Sequence, residues 1–248
     1  MRVIMIYVRF FAVMFCLTQA PTSASAEIAG VEMRLPATER QVKVIYFKAP
    51  GDAPRPAALI LHGAGGFDRR IADYRRYGST VAEAGIDAYL VYYYSPRDEQ
   101  SVDFEGRYAA WAKLVGELAD HVRKQKESSG KIGLVGFSNG GILASGAVIL
   151  DPKINAAAIY YGTDAWPLDK SIPRHYPPLL VLHGDNDTII DVRAGQKLAA
   201  HAKQLGAPVD LVIYPGAPHG FGSNISEGVG ADALKRTIVF LKKVLGMQ

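Results

Sequence analysis

The sequence alternates between short continuous apolar runs and longer stretches in which apolar residues recur every three or four positions. Continuous apolar runs are typical of strands covered on both faces, and the wider spacing is typical of amphipathic helices. From residue 42 onward the two patterns alternate along the chain. The predicted strands are Val42–Phe47, Ala57–His62, Asp87–Tyr94, Lys131–Phe137, Ala156–Gly162, Pro177–Gly184 and Val209–Gly216.

Helical spacing fills the segments between most of these strands. Helices are predicted from Ile71 to near Gly85, through Tyr108–Val122, over Asn139–Leu150, around Leu198–Leu205 and through Leu234–Leu245. This regular alternation predicts an α/β fold, in which a mostly parallel central sheet carries helices on both faces. Ligands of such folds bind beyond the carboxyl ends of the strands, so polar residues that directly follow strands are the candidates for chemistry.

The first residues follow a different pattern, which is typical of a secretory signal peptide. Arg2 and Arg9 precede an apolar run over Phe10–Leu17, and the small residues Ala24-Ser25-Ala26 come just before Glu27. This layout predicts a cleavable signal over 1–26, a single domain over 27–248, and a periplasmic or secreted protein. An uncleaved anchor is the alternative, but the apolar run is shorter than the ~20 residues that a spanning helix needs.

Composition excludes several classes of function. The net charge is +4, and the charges are scattered apart from "DRRIADYRRY" (68–77), which resembles a solvated helix face, so nucleic-acid binding has no support. The single cysteine, Cys16, lies in the predicted signal, so the mature chain has no cysteine nucleophile. No later segment is apolar enough to span a membrane, and no motif for a metal or an organic cofactor is present.

The strongest chemical motif is G-x-S-x-G, formed by Gly136-Phe137-Ser138-Asn139-Gly140 between a predicted strand and a predicted helix. A serine on so sharp a turn has a strained backbone, and glycines two positions away on either side avoid clashes. The chain has 25 glycines, so the motif alone also fits a plain tight turn. Its strand–turn–helix setting favours Ser138 as a nucleophile.

A serine nucleophile needs a base, and His219 is the candidate among six histidines. It lies in "YPGAPHGFG", the loop after the last predicted strand. His121 and His201 fall within predicted helices, where they are expected to be solvated, and His175 lies in a Pro-rich loop. His62 and His183 end strands, where histidine more often completes hydrogen bonds than catalyses.

The base needs an orienting acid, and "LHGDNDTIIDV" supplies three aspartates after a predicted strand. Asp191 fits the N-cap of the following helix, and Asp185 fits a turn residue. Asp187, at the crest of the loop, is the preferred acid, with Asp185 as the alternative. The chain order is then Ser, Asp, His, as expected of α/β-hydrolases.

Two backbone amides are candidates for holding an oxyanion. One is the N–H of Asn139, directly after the serine, and the other is that of Ala64 in the glycine-rich loop "HGAGGF". A plain flexible turn is the alternative for that loop.

The motifs "LHGAGG", "GFSNGG", "IYYG", "LHGDND" and "YPGAPHGF" together resemble the dienelactone hydrolase family of α/β-hydrolases over nearly the whole mature chain. The resemblance places the family's nucleophile, acid and base on Ser138, Asp187 and His219, and its oxyanion amides on Ala64 and Asn139. Two positions depart from the family. The namesake enzymes have a cysteine at position 138 and a glutamate at position 63, which is glycine here, so a dienelactone substrate does not follow.

The resemblance implies a hydrolase of small carboxylic esters or lactones that needs no cofactor and no metal. Short connections leave no room for a large lid, so we expect an open site. Tyr93, Tyr94 and Trp166 are candidate pocket walls, and core or rim aromatics are the equal alternative. Arg97 is a candidate for binding a substrate carboxylate, as arginines do in the namesakes, and a surface arginine that faces water is the alternative. Peptidase, thioesterase or acyltransferase chemistry on the same triad is the rival, and a non-catalytic binding protein is the rival from another class.

Overall fold

The structure, a computed structural model, describes residues 27–94, 104–165 and 171–247. The predicted signal segment, residues 1–26, lies outside the described residues. The strands are β1 (Val31–Pro36), β2 (Gln41–Phe47), β3 (Arg55–Leu61), β4 (Asp87–Val91), β5 (Ser128–Phe137), β6 (Ala156–Tyr160), β7 (Leu179–Gly184) and β8 (Val209–Tyr214). The α-helices are α1 (Ile71–Glu83), α2 (Phe104–Arg123), α3 (Asn139–Leu150), α4 (Val192–Gln204) and α5 (Gly228–Val244).

The strands form one sheet in the order β1-β2-β4-β3-β5-β6-β7-β8. The pairs β1–β2 and β2–β4 are antiparallel, and every later pair is parallel. The predicted mostly parallel sheet is therefore confirmed. Because β3 and β5 to β8 all run the same way, their carboxyl ends meet at one edge, and this edge collects the loops that carry the candidate residues.

Both faces of the sheet are covered, which explains why its strands are continuously apolar. On β3, Leu59 and Leu61 pack into the core on one face, and Ala58 and Ile60 pack into the core on the other. Helices α2, α3 and α4 contribute to the first core, and α1 and α5 contribute to the second. Successive residues of a strand point to opposite faces, so each residue of β3 is buried without any alternation of polar and apolar types.

The structure differs from the predicted elements at two places on the antiparallel side. Strand β1 was not predicted, because all but one of its residues are exposed and it presents no apolar run; Val31 is 61 % exposed. Strand β4 ends at Val91 rather than at Tyr94, so the tyrosines that follow Val91 belong to the connection after it. The edge strand β1 carries a weak hydrophobic pattern because most of it faces solvent, whereas the apolar run after β4 continues past the end of the strand because Tyr93 and Tyr94 are buried in the core.

Within the part of the chain that the structure describes, none of the helices combines the length and the apolar character needed to cross a membrane.

Candidate active site

Ser138 occupies a strained turn between β5 and α3. Its backbone has φ 54° and ψ −119°, a region that residues with side chains rarely adopt. Such strain costs on the order of 1–3 kcal/mol and persists only where the surroundings impose it. The turn exposes the serine hydroxyl at the carboxyl edge of the sheet, next to the N-terminus of α3.

The two glycines of the motif are required by close backbone contacts. A Cβ on Gly136 would lie 2.2 Å from the carbonyl oxygen of Gly140, and a Cβ on Gly140 would lie 2.3 Å from the carbonyl oxygen of Leu61. Neither backbone can retreat, because Gly140 belongs to the first turn of α3 and Leu61 to the central strand β3. The predicted steric reason for the G-x-S-x-G pattern is confirmed.

We expect Gly140→Ala to lower the free energy of unfolding by about 2–3 kcal/mol, because the added methyl group forces β3 and α3 apart. Urea denaturation followed by circular dichroism measures the effect. Gly116→Ala is the matched control: it lies inside α2, where the nearest atom to an added Cβ is 3.4 Å away. This control should be neutral or slightly stabilising, since Ala favours helix over Gly. Equal denaturation midpoints for the two variants would contradict the steric argument.

His219 connects Ser138 to Asp187. Its Nε2 lies 2.9 Å from the Ser138 Oγ, and its Nδ1 lies 2.7 Å from the Asp187 Oδ2. A carboxylate can only accept, so Nδ1–H donates to Asp187 and the Nε2 lone pair of the neutral imidazole accepts from the serine hydroxyl. The three side chains come from the loops after β5, β7 and β8 and form one continuous hydrogen-bonded chain.

The carboxylate of Asp187 is held on both of its oxygens. Its Oδ1 accepts from the backbone N–H groups of Ile189 at 2.9 Å and Ile190 at 2.8 Å, and its side chain is fully buried. Burial by itself raises the pKa of Asp187, but the amide of Ile190, the His219 side chain and the amide of Ile189 outweigh it and hold the pKa below its ordinary value. The carboxylate is therefore ionised at neutral pH.

The other two aspartates of this loop have structural roles. Asp185 Oδ1 accepts from the backbone N–H of Gly216 at 2.6 Å and so links the loops after β7 and β8. Asp191 is the N-cap of α4 and accepts from the backbone N–H of Arg193 at 2.8 Å. Of the three, Asp187 is the residue whose carboxylate meets His219.

The loop after β3 lies directly beside Ser138. It forms a turn in which the N–H of Gly66 donates to the carbonyl of Gly63 at 3.1 Å. A Cβ on Gly63 would lie 3.3 Å from the Ser138 Cβ and 3.9 Å from its Oγ, so a side chain at position 63 would contact the serine. Ala64 lines the cavity above Ser138, and Asn139 is the first residue of α3. The structure thus places one predicted oxyanion residue in the cavity that Ser138 lines and the other directly after the serine in the chain.

His62 anchors this loop from below. Its Nδ1–H donates to the carbonyl of Gly63 at 2.7 Å, and burial lowers the pKa of His62 to about 4, so the ring is neutral. Its ring stacks on Tyr93, with 4.2 Å between the ring centroids, and the Tyr93 hydroxyl donates to the His62 carbonyl at 2.7 Å. Tyr94 packs edge-on against the same ring.

The prediction that Tyr93 and Tyr94 form pocket walls is therefore corrected. Both are buried in the core behind His62, and neither lines the described cavity at Ser138. The pattern "VYYY" does not show whether these tyrosines line the cavity or pack behind it, because large aromatic residues are common in both places. Arg97 and Trp166 lie outside the described residues.

An open cavity of about 390 Å³ lies over Ser138 and His219. Its aromatic wall consists of Tyr74, Phe137 and Tyr161. The Tyr161 ring lies 4.7 Å from the His219 ring, and its backbone has φ 37°, an uncommon value for a non-glycine residue. The remaining lining residues are Gly63, Ala64, Gly65, Gly66, Arg69, Arg70, Ile189, Gly220 and Ser223.

Several of these lining residues were missed by the sequence analysis. Arg69, Arg70 and Tyr74 lie in "DRRIADYRRY", which was interpreted as a solvated helix face, although one side of it borders the cavity. The Arg70 guanidinium donates to Ser223 across the rim. Tyr161 lies in "IYYG", which carried the family resemblance, and this was the one available signal for it. His201, expected to be solvated, instead contacts Asp164 at 2.7 Å.

Among the described residues, no group of three or more histidine, cysteine, aspartate or glutamate side chains could hold a metal ion.

Comparisons with known proteins agree with the observed fold. Solved structures share the fold at low sequence identity. The dienelactone hydrolase of Anabaena variabilis has a TM-score of 0.71 at 18 % identity and covers 88 % of this chain and 99 % of its own. An esterase of Pyrobaculum calidifontis has a TM-score of 0.71 at 17 % identity and covers 86 % of this chain and 85 % of its own. The α/β-hydrolase fold predicted from the sequence is confirmed.

Curated relatives are similar over part of their length. Carboxylesterase SOBER1 of Arabidopsis thaliana is 30 % identical over 133 residues, which are 50 % of this chain and 54 % of the relative. The chain thus spans about half the length of the first curated relatives it matches. The sequence profile of the dienelactone hydrolase family matches residues 44–245, which include every described residue of the site. The protein therefore belongs to the dienelactone hydrolase family.

Proposed function

We propose that this protein is a serine hydrolase that cleaves small carboxylic esters or lactones. The observation that carries the proposal is the imidazole of His219, which lies within hydrogen-bond distance of both the Ser138 hydroxyl and a buried carboxylate. Ser138 is the nucleophile, His219 the general base and Asp187 the orienting acid. The names carboxylesterase, esterase and dienelactone hydrolase carried by the relatives support this class of substrate.

The reaction begins with attack of the Ser138 Oγ on the substrate carbonyl carbon. The hydroxyl proton passes to Nε2 of His219, and Asp187 stabilises the resulting imidazolium through Nδ1–H. The carbonyl oxygen becomes an oxyanion, which the backbone N–H groups of Ala64 and Asn139 stabilise. His219 then donates the proton to the leaving alkoxide, so that the C–O bond breaks and an acyl-Ser138 ester remains.

Water completes the cycle. His219 takes a proton from a water molecule that attacks the acyl-Ser138 carbonyl, and the second oxyanion is held by the same two amides. Collapse of this intermediate returns the proton from His219 to the Ser138 Oγ and releases the carboxylic acid. No cofactor takes part in either half of the reaction.

The cavity supports small substrates with an apolar part. Its wall of Tyr74, Phe137 and Tyr161 offers aromatic surface beside Ser138, and Ile189, which is 72 % exposed, extends the apolar surface at the rim. Position 63 carries no side chain, and a side chain there would contact the serine. Glycine at this position leaves space beside Ser138 for the substrate. In the namesakes a glutamate at this position helps to control the cysteine, and a serine nucleophile does not need it.

A fluorophosphonate probe tests the proposal directly. An active serine hydrolase becomes covalently modified at Ser138, which peptide mass spectrometry locates, whereas a non-catalytic binding protein remains unmodified. A panel of aryl esters with short to long acyl chains, lactones, thioesters and peptides then separates the ester or lactone hydrolase from the rival chemistries on the same three residues. Faster turnover of peptides or thioesters than of every ester and lactone would replace the proposed substrate class.

We expect Tyr93→Phe to lower kcat about tenfold, although Tyr93 does not face the cavity. The change leaves the buried His62 carbonyl without its donor, at a cost of about 1–3 kcal/mol, and loosens the loop that presents Ala64. Steady-state kinetics with an aryl ester measures the loss. Tyr46→Phe is the control, because its hydroxyl contacts Asp87 at the amino end of β4. A kcat equal to that of the unmodified protein would show that the loop does not depend on Tyr93.

The N-terminal segment supports a proposal about location. We propose that residues 1–26 direct export to the periplasm or beyond and are removed, so that the mature chain begins at Glu27. The intact mass of protein recovered from the exported fraction checks this. A mass that includes residues 1–26 would favour an uncleaved anchor.

A further inference from the structure

A second histidine lies behind the catalytic carboxylate and takes no part in the mechanism above. His183 belongs to β7, and none of its surface is exposed. The sequence suggested only that it completes hydrogen bonds at a strand end. The structure places its imidazole between Asp187, the carbonyl of Ile190 and the first turn of α4.

The contacts of His183 define its tautomer. Its Nε2 lies 2.8 Å from the carbonyl oxygen of Ile190, which can only accept, so Nε2 carries the hydrogen. The same nitrogen lies 3.2 Å from the Asp187 Oδ2. The hydrogen bond goes to Ile190, and the carboxylate oxygen lies beside it in electrostatic contact with the same N–H edge of the ring. Oδ2 is also the oxygen that accepts from Nδ1 of His219.

The other edge of the His183 ring, at Nδ1, is held by packing against α4 rather than by a hydrogen bond. Nδ1 is buried and has no hydrogen-bond partner among the described residues. A Cβ on Gly195 would lie 2.6 Å from it, so the backbone of α4 packs directly against this edge of the ring. The ring therefore has little room to move, and its Nε2 edge stays beside the Asp187 carboxylate.

We propose that His183 is a positioning residue for the triad, which fixes Asp187 Oδ2 and shares its negative charge with His219. The inference rests on the proposed function, in which Asp187 orients the base. Two imidazole nitrogens that carry a hydrogen lie close to one carboxylate oxygen, Nδ1 of His219 at 2.7 Å and Nε2 of His183 at 3.2 Å. The His183 ring is held in place, so its positive N–H edge restrains rotation of the carboxylate and reduces the attraction that Oδ2 exerts on a proton at His219.

Loss of this donor has two expected consequences. The carboxylate is held less firmly, which lowers kcat about tenfold, while KM changes less than about twofold because His183 does not border the cavity. The full charge of Oδ2 then acts on His219. The imidazolium is stabilised, and the acid limb of the pH profile of kcat/KM moves to higher pH, by roughly half a unit.

Other charged or titratable groups near the two rings stay constant in the experiment. His219 faces Asp187 and Tyr161 and shares the cavity with Arg69 and Arg70. His183 faces Asp187 and lies near Asp191, whose pKa it helps to lower after the larger effect of Arg193. A change at position 183 leaves all of these residues in place, so we assign a shift of the acid limb to the lost N–H group.

The test compares His183→Gln with His183→Asn. The amide nitrogen of Gln can occupy the position of Nε2 and donate to Ile190 and Asp187, whereas the shorter Asn places its amide at the position of Nδ1, against Gly195. We expect His183→Asn to lose about tenfold in kcat and to shift the acid limb upward. We expect His183→Gln to retain at least about a third of kcat and the original limb. Both variants are polar and similarly buried, so a purely structural role predicts equal losses.

Gly195→Ala provides a second route if His183→Asn does not fold. Its Cβ must displace the His183 ring, while alanine favours the helix. The same direction of change in kcat and in the acid limb is expected. Equal kcat values and equal pH profiles for His183→Asn and His183→Gln, or an unaltered profile in Gly195→Ala, would overturn the proposal.

Fluorophosphonate labelling separates this failure from failure of the proposed function. If the unmodified protein reacts at Ser138 while the position-183 variants behave alike, the hydrolase proposal stands and the role of His183 falls. If Ser138 does not react at all, the hydrolase proposal fails, and the role of His183 fails with it.

Discussion

Replacement of Ser138 with alanine is expected to lower kcat/KM for an aryl ester by at least about 10³-fold, which corresponds to about 4 kcal/mol of transition-state stabilisation. In the proposed mechanism, alanine removes the oxygen atom that forms the acyl intermediate, while His219 and the two amides remain. Residual turnover would come from water attack at a site that still binds the oxyanion. Because Ser138 lies in a strained turn that Gly136 and Gly140 impose, the methyl group fits without rearrangement.

The measurement needs a serine control that lies outside the cavity. Ser226 is exposed, accepts from Arg76 and is absent from the lining of the described cavity, so Ser226→Ala should keep turnover within about twofold of the unmodified protein. Fluorophosphonate labelling should disappear in Ser138→Ala and persist in Ser226→Ala. Near-normal turnover by Ser138→Ala would end the assignment of the nucleophile.

Asp187→Asn is expected to lower kcat/KM by about 10³–10⁴-fold while leaving the fold intact. The Asn amide would donate to Nδ1 of His219, so the imidazole would carry its hydrogen on Nε2 and could not accept the serine proton. Steady-state kinetics measures the loss. Asp191→Asn is the matched control: Asp191 is the N-cap of α4, Asn caps helices about as well as Asp, and turnover should stay within about twofold. Comparable losses in the two variants would remove Asp187 from the mechanism.

The same variant has a defined effect on stability as a function of pH. The pKa of folded Asp187 lies below the ordinary value of 3.8. Its ionised carboxylate therefore contributes stability at neutral pH, and this contribution is lost as the pH falls through the folded-state value. The difference in free energy of unfolding between the unmodified protein and Asp187→Asn should shrink below pH 4, as urea titrations at several pH values would measure. A difference that does not depend on pH would contradict the stabilised carboxylate.

The sequence alone determined the architecture and the nucleophilic turn. The buried strands β3, β5, β6 and β7 contain continuous apolar runs because both faces of the sheet are covered. The local sequence is therefore enough to identify them as strands. The strained turn at Ser138 is local in part: Gly136 is required by the backbone of Gly140, whereas Gly140 is required by Leu61 of β3, far away in the chain. Asp191 could be recognised as an N-cap because the group it satisfies lies two residues away.

The tertiary structure alone decided which groups meet. Ser138 and His219 are 81 residues apart in the chain, and Asp187 and His219 are 32 apart. The sequence alone does not distinguish among the three aspartates of one loop. The packing of the loops after β7 and β8 directs Asp187 toward His219. For the same reason Tyr93 proved to be a support for the loop after β3, while Tyr74 and Tyr161 reached the cavity, and His183 was brought against Asp187. The local periodicity of the sequence determines which residues are buried. The neighbours that a buried or loop residue contacts depend on elements far away in the chain.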